Sequence, residues 1–216
     1  MDEDYQETRT GAAKITEEVF NSTLHGLGAL AGVVGLIFGI LHSTSTSLHD
    51  KVGFIVYGVS LIMLMTMSSL YHALIFSKAK QVFQILDHSA IFLLIAGSYT
   101  PITMYLFDGW QRYTLLGAIW SFAITCVVIS AATPNIMKRF GVGLYIGFGW
   151  LALLFAPRFS SLSGTSATLI ITGGVLYTAG AIIMALKKPF THTGWHLMVV
   201  LAATSHYFAI LPLMHV

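Results

Sequence analysis

The chain reads as a succession of long apolar stretches separated by short polar breaks. Stretches of the length a bilayer requires, about 20 residues for a hydrocarbon core of roughly 30 Å, fall at about 20–42, 53–76, 86–107, 113–133, 140–156, 165–186 and 192–214. The pattern predicts an all-α polytopic membrane protein of seven transmembrane helices. The fifth stretch is short and stops at Pro157-Arg158. Residues 1–19 read as an acidic cytoplasmic N-terminal tail and 20–216 as the transmembrane domain. No connection is long enough for a soluble domain. Gly28-x3-Gly32, Gly35-x3-Gly39 and Gly143-x3-Gly147 have the small-residue spacing that lets helices approach closely in lipid. Pro101, inside the third stretch, is expected to kink it.

Composition narrows the class further. Of 216 residues, 56% are hydrophobic and 9% charged, and mean hydropathy is +0.77. A soluble domain carries about 25% charged residues, so this chain cannot cover a water-facing surface of its own size. Disorder is excluded by the same abundance of apolar side chains. A net charge of +2 gives no reason to expect nucleic acid. Cys126 is the single cysteine, which leaves no intramolecular disulfide and no cysteine-based metal cluster. Asp2, Glu3, Asp4 and Glu7 stand where a secretory signal would be basic, and argue against a cleaved signal peptide.

Charge position then sets the expected orientation. Arg9, Lys14, Lys78, Lys80, Lys138, Arg139, Lys187 and Lys188 fall on one side; Lys51, Arg112 and Arg158 fall on the other. Eight bases against three predict a cytoplasmic N-terminus and an external C-terminus. Six of the nine acids lie in the first eighteen residues, Asp50 and Asp108 fall in connections, and Asp87 is then the one acid expected inside a span. A carboxylate in that position costs several kcal/mol unless it is paired, caps a helix or serves a ligand.

The histidines give Asp87 company. His72 lies near the cytoplasmic end of span two, and His192 and His196 begin span seven, all at the depth of Asp87. His192-Thr-Gly-Trp-His196 is an i, i+4 pair, which projects both imidazoles from one helix face. Ser68 and His72 have the same relation, so Ser68 is directed toward the same place. Three neutral imidazoles favour zinc with a fourth position for water. Zinc would lower the pKa of that water to roughly 7, and Asp87 could hold or deprotonate it. These groups suit metal-assisted hydrolysis; a closed zinc that only ties helices together uses the same ligands. His25 lies near the same face and is either an interfacial group or one that supports the site. His88 points about 100° away from Asp87 and is set aside. His42, His49, His206 and His215 are expected toward or beyond the far face, as polar interface residues.

Together, Ser68-Ser-Leu-Tyr-His72, Leu86-Asp87-His88-Ser89-Ala90-Ile91, Ala96-Gly-Ser-Tyr-Thr-Pro101 and His192-Thr-Gly-Trp-His196 resemble the hemolysin III family. That family is the bacterial branch of the progestin and adipoQ receptor group, which includes the adiponectin receptors. Glu17-Glu18-x2-Asn21-Ser22-x2-His25-Gly26 is similar to the family's opening motif, so the resemblance runs from about residue 17 onward. It implies a seven-helix bundle in a bacterial cytoplasmic membrane. It also implies zinc ligands His72, His192 and His196 near the cytoplasmic side, with Asp87 and Ser68 close to the ion. Related alkaline ceramidases and receptor members linked to lipid-amide hydrolysis point to a zinc-dependent hydrolase of a lipid amide or ester, with a part in membrane lipid homeostasis. Membrane lipids are then the expected partners and substrates. A membrane-state sensor with structural zinc is the second expectation. A pore-forming cytolysin, which the family name suggests, comes last, because the chain has no soluble face.

Overall fold

A computed structural model describes residues 11–214, with the side chains of 138 and 139 excepted. The described residues form seven long helices: α1 (Gly11–His42), α2 (Leu48–Ala73), α3 (Lys80–Leu106), α4 (Gly109–Ala132), α5 (Pro134–Trp150), α6 (Gly164–Ala185) and α7 (Thr191–Ile210). A 3₁₀ segment, Leu151–Ser161, continues α5, and another, Leu211–Met214, continues α7. With those continuations, seven segments are long and apolar enough to cross a membrane. The fifth stretch is therefore longer than expected: the 3₁₀ segment carries it through Pro157 to Ser161. α1 is also longer, starting at Gly11 where hydropathy places the span from about residue 20. Residues 1–10 of the expected acidic tail lie outside the described residues; Glu17 and Glu18 are buried in α1.

Local signals explain several ends. Ser47 caps α2, its Oγ accepting from the Asp50 amide at 3.3 Å. Ser163 does the same for α6 through the Ser166 amide at 3.0 Å. Pro134 opens α5, where its missing N–H costs nothing. Pro101 lies within α3, and the helix runs on through it to Leu106.

Helices pack in chain order, α1 on α2, α2 on α3, α3 on α4 and α6 on α7, and α7 closes the circuit against α1. α3 is the inner helix: 67% of its most apolar window is buried, against 11% for α1 and 17% for the fifth span, whose other faces are left for lipid. Side chains including Phe54, Tyr57, Met65 and Val199 fill the space between α2, α3 and α7, and Tyr57 Oη donates to the Ala203 carbonyl at 2.8 Å. A second core, with Phe92, Tyr99, Phe148 and Phe155, joins α3 to α5 and its continuation. Of the glycine pairs, those in α1 do meet neighbours: a Cβ on Gly28 would touch Met65, and one on Gly39 would strike the Phe54 ring. Gly143 and Gly147 have open space instead, so this pair does not serve packing within the chain.

Candidate metal centre

His72 lies in the last turn of α2 and His192 and His196 in the first turns of α7. Chain direction alternates, so both helix ends lie at the end of the bundle where α1 begins. There the three imidazoles converge. One nitrogen from each lies within 4.8 Å of the others, an arrangement that could hold a metal ion. Nε2 of His72 and Nε2 of His196 face each other at 2.9 Å. Both residues are buried, and the His192 ring packs against both.

Glu18, which sequence reasoning assigned to the tail, decides the chemistry of His72. Its Oε2 accepts from His72 Nδ1, and its Oε1 accepts from Lys80 Nζ at 2.9 Å. A carboxylate paired with a lysine only accepts, so the His72 proton resides on Nδ1 and the Nε2 lone pair faces the cluster. Three residues on, Asn21 Oδ1 accepts from Thr193 Oγ1 at 2.6 Å, fastening α1 to the first turn of α7 between the two histidines. Ser22 and Ser69 exchange hydroxyl-to-carbonyl bonds at 3.0 and 2.8 Å, fastening α1 to α2 beside Ser68. His25 completes this face of α1. Its ring stands edge-on to His196 with centroids 4.1 Å apart, and neither ring nitrogen has a hydrogen-bond partner although the residue is buried. Glu18, Asn21 and His25 recur at i, i+3 and i+7, a polar stripe on an otherwise apolar helix. That spacing was the available signal for them.

Asp87 is buried in α3 and lines the same cavity as Ser68, His72 and His88. Ser68 is fully buried, and its Oγ makes no well-aligned hydrogen bond. All five residues singled out by depth and spacing line one cavity of about 1030 Å³. Asp87 is not the only buried acid, however: Glu17 and Glu18 join it on the same cavity wall.

A sequence profile described as haemolysin-III related matches residues 13–207. The chain belongs to this family. Hemolysin-3 of Bacillus cereus is 36% identical over 200 residues, covering 91% of this chain and 91% of that protein. The hemolysin-3 homolog of Bacillus subtilis (strain 168) is likewise 36% identical, covering 91% and 94%. A Drosophila melanogaster adiponectin receptor protein is 25% identical over 227 residues, which span 91% of this chain and half of that protein. This haemolysin-III chain is thus a multi-pass membrane protein related to adiponectin receptors, and its histidine cluster lies inside the matched region.

Two residues of the haemolysin-III bundle remain to be placed. His206 lies toward the far end of α7, as expected, but lines the same cavity and is not a polar interface residue, with Nε2 3.1 Å from the Ile170 carbonyl. Gly173 makes room for it: a Cβ there would lie 2.3 Å from the ring. His88, set aside because it points away from Asp87, is not among the three clustered histidines, yet it lines the same cavity and its ring stands edge-on to Tyr71.

Proposed function

We propose that this protein is an integral membrane hydrolase that binds zinc through His72, His192 and His196 and cleaves a lipid amide or ester in membrane lipid homeostasis. The observation that carries the reading is the position of the histidine cluster on the wall of a cavity that is apolar beyond it. From Asp87 to Ile102, both lining residues, α3 advances fifteen residues, or about 22 Å at 1.5 Å each, most of a hydrocarbon core of roughly 30 Å. That length suits an acyl chain. The donor set fits zinc. Two nitrogens 2.0–2.1 Å from a tetrahedral ion stand about 3.4 Å apart, so the 2.9 Å between His72 and His196 needs only a small opening. When bound, zinc supplies Lewis acidity toward a carbonyl oxygen and toward water.

The chain's own groups divide the remaining work. Glu18 holds the Nδ1 proton of His72 and thereby the orientation of its ring. Leu94, Ile95 and Ile102 take the acyl chain and keep bulk water out. Asp87 takes the proton of the attacking water as the new C–O bond forms. It returns that proton to the leaving nitrogen or oxygen as the scissile bond breaks. Ser68 Oγ, which has no hydrogen-bond partner among the described residues, orients the attacking water. By the distribution of bases, this end faces the cytoplasm, where a linkage just beneath the headgroups reaches the histidines.

The test combines metal content of the purified protein with mass spectrometry of products from a broad panel of lipid amides and esters. Asp87→Asn is expected to retain zinc and lose turnover. A wild type fully loaded with zinc that cleaves nothing in the panel overturns the reading. One observation favours a second reading, a membrane-state regulator with structural zinc: the cluster and Glu18 join α1, α2 and α7, and such a clamp could change shape as a unit. Retention of the cellular phenotype by Asp87→Asn would select it.

A further inference from the structure

The cavity changes character along its length. Below the histidines its walls are largely apolar, whereas Lys14, Lys78, Lys80 and Lys187 line its mouth. Lys80 is committed to Glu18. Lys14, Lys78 and Lys187 form no ion pair among the described residues, and the acids on the same wall, Glu17, Glu18 and Asp87, are all buried. The turn that carries Lys187 is held in an uncommon backbone conformation. Lys187 has φ 50° and Phe190 φ 61°, a left-handed region that residues other than glycine rarely adopt. Hydrogen bonds from Lys187 N to the Met184 carbonyl and from Thr191 Oγ1 to the Lys188 carbonyl keep it there. Such strain persists where a position is needed for something other than stability.

We propose that the mouth is a binding site for the phosphate headgroup of an anionic lipid, with Lys78 and Lys187 as its principal ligands and the acyl chain entering the apolar part of the cavity. Lys78 and Lys187 come from different helix connections to the lining of one cavity, so both ammonium groups supply positive charge to it. A neutral or zwitterionic headgroup gains little there. The proposal rests on the lipid-hydrolase reading only for the chemistry after binding; occupancy itself requires no turnover. Bases at this end also satisfy the rule that sets orientation, but that rule is indifferent to whether a lysine lines the cavity. Lys188 is exposed, adjacent to Lys187, and absent from the lining, so it separates the two explanations.

The experiment is native mass spectrometry of the full chain released from micelles containing equimolar phosphatidylglycerol and phosphatidylcholine of matched chains. Wild type is expected to retain the anionic lipid over the zwitterionic one by on the order of tenfold, as two lysine contacts warrant. The double variant Lys78→Gln/Lys187→Gln is expected to fall within about twofold of no preference, while Lys188→Gln keeps the wild-type ratio. Lys187→Gly relieves the left-handed strain and therefore folds, and it too is expected to lose preference. Equal retention of the two lipids by wild type overturns the proposal. So does an equal loss in Lys188→Gln, which would make the effect one of surface charge. Displacement of the lipid by millimolar inorganic phosphate would assign the site to a free anion and overturn it as well. A protein that prefers anionic lipid yet hydrolyses nothing loses the enzyme reading and keeps this one; a hydrolase of neutral lipids without headgroup preference does the reverse.

Discussion

Replacing Glu18 by Gln tests the construction of the candidate metal centre at its least obvious member. Glu18 accepts from His72 Nδ1 and from Lys80 Nζ, and only 7% of the residue is exposed. Gln preserves shape and one acceptor oxygen, but it removes the charge that holds the Nδ1 proton and raises the basicity of Nε2. Loss of a group that orients a metal-binding histidine costs about 10–100-fold in metal affinity, or roughly 1.4–2.7 kcal/mol. The upper part of that range is expected here, because a buried neutral amide cannot replace both charge-assisted bonds. The assay is zinc competition against a chromophoric chelator in detergent, run beside Lys80→Met. That control breaks the ion pair and leaves the bond to His72, so its loss should be much smaller. If Glu18→Gln binds zinc as tightly as wild type, or if Lys80→Met weakens binding equally, then Glu18 serves the ion pair and not the histidine.

The same contacts set other expected outcomes. Asp87→Asn should keep the zinc content of wild type and reduce lipid hydrolysis by about 10²–10⁴-fold, measured under single-turnover conditions. Thr193→Val removes the hydroxyl that donates to Asn21, and a double-mutant cycle with Asn21→Ala should give a thermal-stability coupling of about 0.6–1.7 kcal/mol. Gly53→Ala would place its Cβ 2.8 Å from the Pro101 Cα; backbone cannot rotate away, so a loss of about 1–3 kcal/mol is expected. Gly143→Ala meets open space and should leave the denaturation midpoint unchanged or higher. Chelation should lower the midpoint, and zinc at about 100 times its dissociation constant should restore about 2.7 kcal/mol.

Much of the bundle could be read from hydropathy because each span is longer than a globular helix needs and each break is polar. Depth counting was equally effective for His72, Asp87, His192 and His196, since helices rise by a constant increment and the three spans enter at one level. It failed at two places for physical reasons. Glu18 lies in a helix that begins before the apolar stretch, and an acid next to a span is indistinguishable by hydropathy from an acid in a tail. His206 lies past the middle of its span, and nothing in the composition of α7 tells that Gly173 on α6 opens a place for its ring beside the cavity. The fifth span looked too short because periodicity stops at Pro157, whereas a 3₁₀ segment, which tolerates that proline, carries it onward. The Gly143 and Gly147 spacing was genuine, but spacing does not specify which surface lies opposite.

The central claim is that one zinc ion is held by the three histidines. X-ray absorption at the zinc edge on purified protein, with metal content measured on the same sample, tests it most directly. One zinc per chain, coordinated by three imidazole nitrogens and one oxygen and lost in His196→Ala, is the expected result. A wild type that binds no zinc, or a His72→Ala/His192→Ala/His196→Ala variant that keeps it, would contradict the account.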